Sequence, residues 1–169
     1  EQNELDEKKA EVDEIEFEYP NQTAFPPKKK EMYFDTEAFF YFKNFLYILT
    51  KSRVKGNYGN TTLYKIPAKK GNYTAEIVDE FKSCNDLECW ITSADISPNG
   101  KKVALLSQKK VLIFSDFKDD KFLSGNVTSI NLKYRSQKES ITFKDNNTVL
   151  ITDEKAHDAG GNLYELKLK

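Results

Sequence analysis

Four carboxylates are candidates for a metal-binding or catalytic site. Asp35, Glu37, Asp95 and Glu139 lie in the first strand of three similar hairpin-like segments. Carboxylate oxygens arranged around a common channel are the ligands that a hard cation such as calcium requires. A calcium ion held there would polarise an ester or phosphate oxygen and so assist hydrolysis. The structural interpretation, which we favour, is that these carboxylates accept backbone hydrogen bonds and organise contacts between sheets.

Other reactive residue types give no positive indication of catalysis. The only histidine, His157, follows Asp153 and Glu154 in a glycine-containing loop. A single histidine in such a loop is typically solvated, and no second one exists to complete a usual set of metal ligands. The sequence also lacks a Gly-x-Ser-x-Gly nucleophile elbow and a glycine-rich phosphate loop. We therefore assign no catalytic residue.

Asparagine triplets of the type Asn-x-Ser/Thr are more frequent than chance predicts. With 13 Asn and 21 Ser plus Thr among 169 residues, about 1.6 such triplets are expected by chance. The excess predicts a protein with N-linked glycans on surface turns, although an asparagine-rich, turn-rich chain can also produce triplets by accident. The acceptor residues are Asn21, Asn60, Asn72, Asn126 and Asn146.

The two cysteines, Cys84 and Cys89, are separated by four residues. An even number with short spacing predicts a disulfide that closes a small loop, because a zinc site would need two further ligands. Two free buried thiols are the alternative. Trp90 follows directly and is expected to shield the disulfide. The disulfide and the glycan acceptors together predict a secreted, extracellular protein.

Charge and hydropathy exclude several classes of partner. The formal net charge is -1, from 26 basic and 27 acidic residues, so no overall field favours nucleic acid. No apolar run approaches the roughly 18 residues that a membrane helix needs. The first residues are polar and acidic, unlike a signal peptide, so we expect a chain that is soluble or already processed.

Almost every segment after Phe34 has the length and pattern of a short strand. Turn residues such as Lys43-Asn44, Pro98-Asn99-Gly100 and Gly160-Gly161 separate them. The candidate strands are 37–42, 45–50, 61–66, 74–81, 92–97, 102–107, 110–115, 127–133, 139–143, 148–152 and 162–168.

The N-terminal region has a different character. Residues 1–11 carry too little apolar surface to pack and form a polar arm without an assigned function. Alternation over 12–20 predicts one extra strand, which Pro20 ends. The prolines and lysines of 21–32 predict a connecting loop.

One hairpin pattern recurs three times. Segments 37–50, 94–107 and 139–152 align without a gap, and each ends in a hydroxyl residue. A third strand follows each unit and a fourth follows the first two. Four antiparallel strands that recur every 45 to 57 residues are typical of β-propeller blades. We therefore predict an all-β array spanning 12–169, with approximate blades 35–81, 92–133 and 137–168.

Three blades cannot close a propeller ring, because rings need at least about four blades. An open array would expose sheet faces and strand edges. We therefore predict an assembly in which a second copy of the chain, or a separate chain, supplies further blades.

Several short phrases support this fold through a resemblance. Segments 35–38, 46–51, 94–102 and 150–154 resemble the C-terminal half of a family of extracellular propeller-like proteins, most of them named only as hypothetical. The resemblance spans about residues 12 to 168, and the N-terminal half of that family has no counterpart here. It implies a propeller fold but no specific activity.

The predicted function is a structural or protein-interaction module in an extracellular assembly. The 12 Phe and 9 Tyr suit packing between blades or binding to a partner. The alternative is a calcium-dependent hydrolase, similar to propeller lactonases or phytases, whose channel forms only when further blades are added.

Overall fold

The computed structural model describes residues 12–134, 136–155 and 160–168. Within these ranges the chain is built from β-strands, together with a short 3-10 turn at Leu87–Cys89, so the prediction of an all-β chain is confirmed. No helix in these ranges is long and apolar enough to cross a membrane. The strands are β1 (Ile15–Glu18), β2 (Asp35–Phe42), β3 (Phe45–Lys51), β4 (Asn60–Pro67), β5 (Gly71–Thr74), β6 (Glu76–Lys82), β7 (Ile91–Ile96), β8 (Lys102–Ser107), β9 (Lys110–Ser115), β10 (Asn126–Asn131), β11 (Lys138–Asp145), β12 (Thr148–Asp153) and β13 (Leu163–Lys167).

The strands form three antiparallel sheets and one short parallel pair. The first sheet has the order β2-β3-β4-β6, the second β7-β8-β9-β10 and the third β11-β12-β13, while β1 pairs with β5. The first strand of the second sheet, β7, contacts the first strands of both neighbouring sheets, β2 and β11. We call β2, β7 and β11 the inner strands.

Each inner strand carries a one-residue register shift near its start. The shift falls at Glu37 in β2, at Thr92 in β7 and at Glu139 in β11. A β-bulge of this kind leaves one residue unpaired and increases the local twist of the strand. The same feature at the same place in three sheets makes the internal repeat a property of the backbone as well as of the sequence.

The gap-free alignment of the three hairpins does not describe their strand pairing. Thr50, Ser107 and Thr152 pair with residues 14, 16 and 12 positions earlier, respectively. The second hairpin is longer because its turn is built around Ser97, whose side chain accepts hydrogen bonds from the backbone N–H groups of Lys101 and Lys102. Turn length and bulges therefore set the register, as is usual in hairpins.

The second sheet is buried on both faces. Val103 and Leu105 of β8 belong to a core shared with the first sheet, whereas Ala104 and Leu106 belong to a core shared with the third. Alternate side chains of a strand point to opposite faces of its sheet, so this continuous apolar run is what a central layer requires.

The outward faces of the first and third sheets differ. Ile48 and Tyr64 on the outward face of the first sheet pack against Ile15 and Tyr19 of the N-terminal segment. On β11 of the third sheet, the outward positions 140, 142 and 144 carry Ser, Thr and Lys, and all three are exposed. The first sheet therefore has an apolar cover over its middle strands, and the third sheet presents a mainly polar surface.

Candidate functional site

Charged side chains gather where the inner strand of the first sheet begins. Lys51 lies opposite Asp35 across the β2–β3 pairing and is only 5% exposed. Its ammonium forms ion pairs with Glu37 and, at 3.5 Å, with Asp35. Arg53 Nε donates to Asp35 Oδ2 at 2.5 Å. Two of the carboxylates predicted for calcium are therefore already paired with cations of their own sheet.

Trp90 joins this cluster from the second sheet. Its indole Nε1 donates to the Ser52 carbonyl at 2.7 Å, and the Lys51 ammonium lies 5.1 Å from the ring centroid. Arg53 and Tyr58 also contact the ring. A cation over an indole face is attracted by the ring quadrupole. Trp90 therefore joins the start of the second sheet to the end of β3.

The predicted disulfide between Cys84 and Cys89 is present. It closes the loop that leads from β6 of the first sheet into β7 of the second. Asp86 begins the short 3-10 turn inside this loop, and its side chain accepts a hydrogen bond from the Glu88 N–H. Cys89 is buried, so the disulfide fixes Trp90 next to a rigid anchor.

A second buried ion pair lies at the start of the third sheet. Asp153 accepts hydrogen bonds from Ser136 Oγ at 2.5 Å, from Tyr164 OH at 2.9 Å and from the Asn162 N–H at 2.8 Å, and it faces Lys138 Nζ at 3.5 Å. Burial alone raises the pKa of this carboxyl. The three hydrogen bonds and the lysine charge outweigh that effect, so the pKa of Asp153 lies well below its usual range.

The two ion pairs lie near the bulge of their inner strand, although Asp35 is two residues before Glu37 and Lys138 is one residue before Glu139. Asp35 of β2 pairs with Lys51 of β3, and Lys138 of β11 pairs with Asp153 of β12. Buried charges need a partner and further hydrogen bonds, and both pairs have them. The first and third sheets therefore each hold a cross-strand ion pair close to the bulge of the inner strand.

Asp95 connects the second and third sheets. Its Oδ2 accepts from Thr142 Oγ1 at 2.9 Å and from the Phe143 N–H at 2.6 Å. Two residues earlier, Ser93 Oγ accepts from the Ile141 N–H at 3.1 Å. Asp95 therefore accepts a backbone hydrogen bond and organises a contact between two sheets, as the structural interpretation expected. Ser93 could not be predicted from the sequence, because serine is common in exposed strands.

The four predicted calcium ligands are not brought together as a binding set. Asp35 and Glu37 are paired with lysine and arginine, and Asp95 accepts backbone and hydroxyl hydrogen bonds. Glu139 is exposed at the bulge of β11. In the ranges 12–134, 136–155 and 160–168, no group of three or more His, Cys, Asp and Glu side chains is arranged to hold a metal ion. His157 lies outside the described residues.

In the described part of the chain, the face of β2 that lies away from the second sheet is uncovered. Phe39 and Tyr41 point to this side and are 62% and 56% exposed, whereas their neighbours Ala38 and Phe40 are buried against the second sheet. The cover of the first sheet lies over β3 and β4 and leaves these two aromatic side chains in solvent. We call β2 at Phe39 and Tyr41 the open edge. Large exposed aromatic side chains on a sheet are typical of interaction sites.

A cleft of about 530 Å³ lies between the 21–34 loop and the first sheet. Tyr33, Phe34 and Phe81 line it together with Asn21 and Asn60. Sequence reasoning missed this cleft because the loop was predicted only as a connection.

One side of the cleft is fixed by Tyr64, whose hydroxyl donates to Asn21 Oδ1 at 2.9 Å. Burial raises the pKa of Tyr64. The phenol therefore stays protonated and keeps its donor role at neutral pH.

The predicted glycan acceptors lie at the surface to different degrees. Asn21, Asn72 and Asn126 are exposed, whereas Asn60 and Asn146 are half-buried. Several already take part in local contacts: Asn126 Nδ2 donates to Asp116, and Asn146 Oδ1 accepts from the Asn99 N–H. Asn21 also accepts a hydrogen bond from the Tyr64 hydroxyl, so of the exposed three only Asn72 has no side-chain hydrogen bond among the described residues.

Comparisons with known proteins assign neither a family nor an activity. No protein-family model matches the sequence, and no curated protein matches it either. Kluyveromyces lactis Hsv2 is similar over 70% of this chain and 38% of that chain, with 16% identity and a TM-score of 0.44. KlHsv2 with loop 6CD replaced by a Gly-Ser linker is similar over 75% of this chain and 41% of that chain, with 15% identity and a TM-score of 0.43. The chain therefore spans less than half of either structure.

Proposed function

We propose that this chain is a set of about three β-propeller blades that serves as a structural or protein-interaction module in an extracellular assembly. Three meandering sheets follow one another, and their inner strands lie side by side. The bulge repeated at Glu37, Thr92 and Glu139 supports the interpretation of the sheets as copies of one blade. The resemblance to extracellular propeller-like proteins is part of the same proposal.

An extracellular location is supported by the disulfide and by the glycan acceptors. Cys84 and Cys89 are bonded, and disulfides persist mainly in oxidising compartments. Asn21, Asn72 and Asn126 present exposed side chains to solvent, as N-linked glycosylation requires. The proposal therefore includes glycans on these three asparagines.

The observation that carries the interaction role is the open edge of β2. The equivalent edges of β7 and β11 are each covered by the preceding inner strand. Phe39 and Tyr41 are exposed at the place where the repeat puts a neighbour. An uncovered strand edge with aromatic side chains is a template for another chain. We therefore expect a partner chain to occupy this edge, as the preceding inner strand does for β7 and β11.

The experiment that tests this function is the native mass of the secreted protein, purified with glycans and partner chains left in place. We expect a particle heavier than one 19.5 kDa chain plus its sugars, because the open edge recruits a partner. Stepwise removal of N-glycans by glycosidase separates the sugar contribution from the protein contribution. A stable monomer that keeps its mass across a wide concentration range would contradict the proposal.

A further inference from the structure

The backbone of the open edge carries two N–H groups that point away from the first sheet. A two-residue turn, Lys43-Asn44, joins β2 to β3 and makes Phe42 and Phe45 the closing pair. In an antiparallel pair, hydrogen-bonded residues alternate with residues whose N–H groups point outward. The N–H groups of Phe39 and Tyr41 are the outward ones. Among the described residues, neither group has a hydrogen-bond acceptor outside the β2–β3 pairing.

The third sheet shows how a neighbouring inner strand can satisfy such groups, whereas in β7 the equivalent N–H of Ile96 donates to Asp95 Oδ1 of its own strand. Ile141 and Phe143 lie two and four residues after the bulge at Glu139, as Phe39 and Tyr41 lie after the bulge at Glu37. Their N–H groups donate to Ser93 Oγ and Asp95 Oδ2, which are two residues apart on the neighbouring inner strand. The contact between β7 and β11 is therefore a template for the strand that belongs beside β2.

Space beside the open edge is limited on one side. The β1–β5 pair with Ile15 and Tyr19 already covers β3 and β4. The uncovered part of the face is the inner-strand side, where Phe39 and Tyr41 are exposed. An occupant that leaves this cover in place contacts the face along β2, and an extended segment is sufficient for that contact.

We infer that the open edge of β2 binds an extended protein segment that carries a hydroxyl and a carboxylate two residues apart, in the pattern Ser-x-Asp. The serine and aspartate oxygens accept the N–H groups of Phe39 and Tyr41, and the two aromatic rings pack against the segment. A carboxylate is a stronger acceptor of a backbone N–H than a neutral oxygen, so the aspartate supplies most of the specificity. This inference rests on the proposed interaction role and names the chemistry of the partner.

The test uses a peptide with the sequence of residues 91–97, Ile-Thr-Ser-Ala-Asp-Ile-Ser, because this segment already makes the template contact. It is titrated to millimolar concentration into the whole ¹⁵N-labelled protein, and amide shifts are followed by NMR. We expect saturable shifts at the amides of Phe39 and Tyr41. A peptide with alanine at its aspartate position should bind about tenfold more weakly.

Matched variants keep the result independent of folding. The exposed Leu163 of β13 gives a control variant, Leu163→Ala, that should bind the peptide as the unchanged protein does, whereas Tyr41→Ala should bind it more weakly. Absence of shifts at Phe39 and Tyr41, or equal binding of the peptide without its aspartate, would overturn the inference. Shifts at these amides that depend on protein concentration without peptide would show a second copy as the occupant and would also overturn it. An oligomer in the native-mass experiment together with no peptide binding would leave the interaction role standing.

Discussion

Replacement of Asp95 by alanine separates the structural role of this carboxylate from a metal-binding role. The substitution removes the acceptor of the Thr142 hydroxyl and of the Phe143 N–H, two of the hydrogen bonds that join the second and third sheets. Hydrogen bonds to a charged acceptor contribute about 1.5–3 kcal/mol each. Because Asp95 is half-buried rather than fully buried, we take the lower value for each of the two bonds. We therefore expect the free energy of unfolding to fall by about 3 kcal/mol.

Urea unfolding followed by tryptophan fluorescence measures this loss, since Trp90 lies in the second sheet's entry loop. Asp95→Asn keeps an acceptor oxygen and should lose about 1 kcal/mol. Glu139→Gln, at an exposed bulge position, is the matched control and should change stability by less than about 0.5 kcal/mol. An Asp95→Ala effect no larger than the Glu139→Gln effect would refute the structural role. A stability of the unchanged protein that rises with added calcium and loses that rise in Asp95→Ala would favour the metal role instead.

Three further outcomes follow from single contacts. Asp153 has a folded pKa below its unfolded value. Its contribution to the free energy of unfolding is therefore complete above about pH 4 and is lost as the pH falls through the folded pKa. Asp153→Asn should be less stable than the unchanged protein at pH 7 and should lose less stability in acid, which acid unfolding curves measure. Gly59→Ala places a Cβ 1.8 Å from the Cys84 carbonyl oxygen, so we expect a melting temperature at least several degrees lower, and an unchanged one would contradict that packing. Trp90→Phe removes the donor to the Ser52 carbonyl and should cost about 1 kcal/mol in urea unfolding, whereas no loss would show that the indole N–H is replaceable by water.

The strands could be predicted from the sequence, but their register could not. Alternating apolar residues identified the hairpins at 37–50, 94–107 and 139–152 because side chains alternate between the two faces of a sheet. Register depends on bulges and on turn length, and neither leaves a periodic trace. The longer turn around Ser97 therefore changed the pairing of the second hairpin without disturbing the alignment.

The functional residues divide in the same way. Asp95 could be selected as a candidate from its residue type. Only the position of β11 shows which groups donate hydrogen bonds to it. Lys51 was missed because lysine is usually exposed, although it ends an apolar run and is 5% exposed here. Exposed faces and edges were predicted for an incomplete array, but not that they lie at Phe39 and Tyr41, because that exposure depends on the absence of a neighbouring strand among the described residues, which no local pattern records.

Amide hydrogen exchange of the isolated chain shows whether one inner strand of the repeat is open. The comparison is internal, because Phe39 and Tyr41 occupy the same repeat positions as Ile141 and Phe143, whose N–H groups are bonded to Ser93 and Asp95. We expect fast exchange at Phe39 and Tyr41 and slow exchange at Ile141 and Phe143. Equal protection of the two pairs in dilute isolated chain would contradict the open edge.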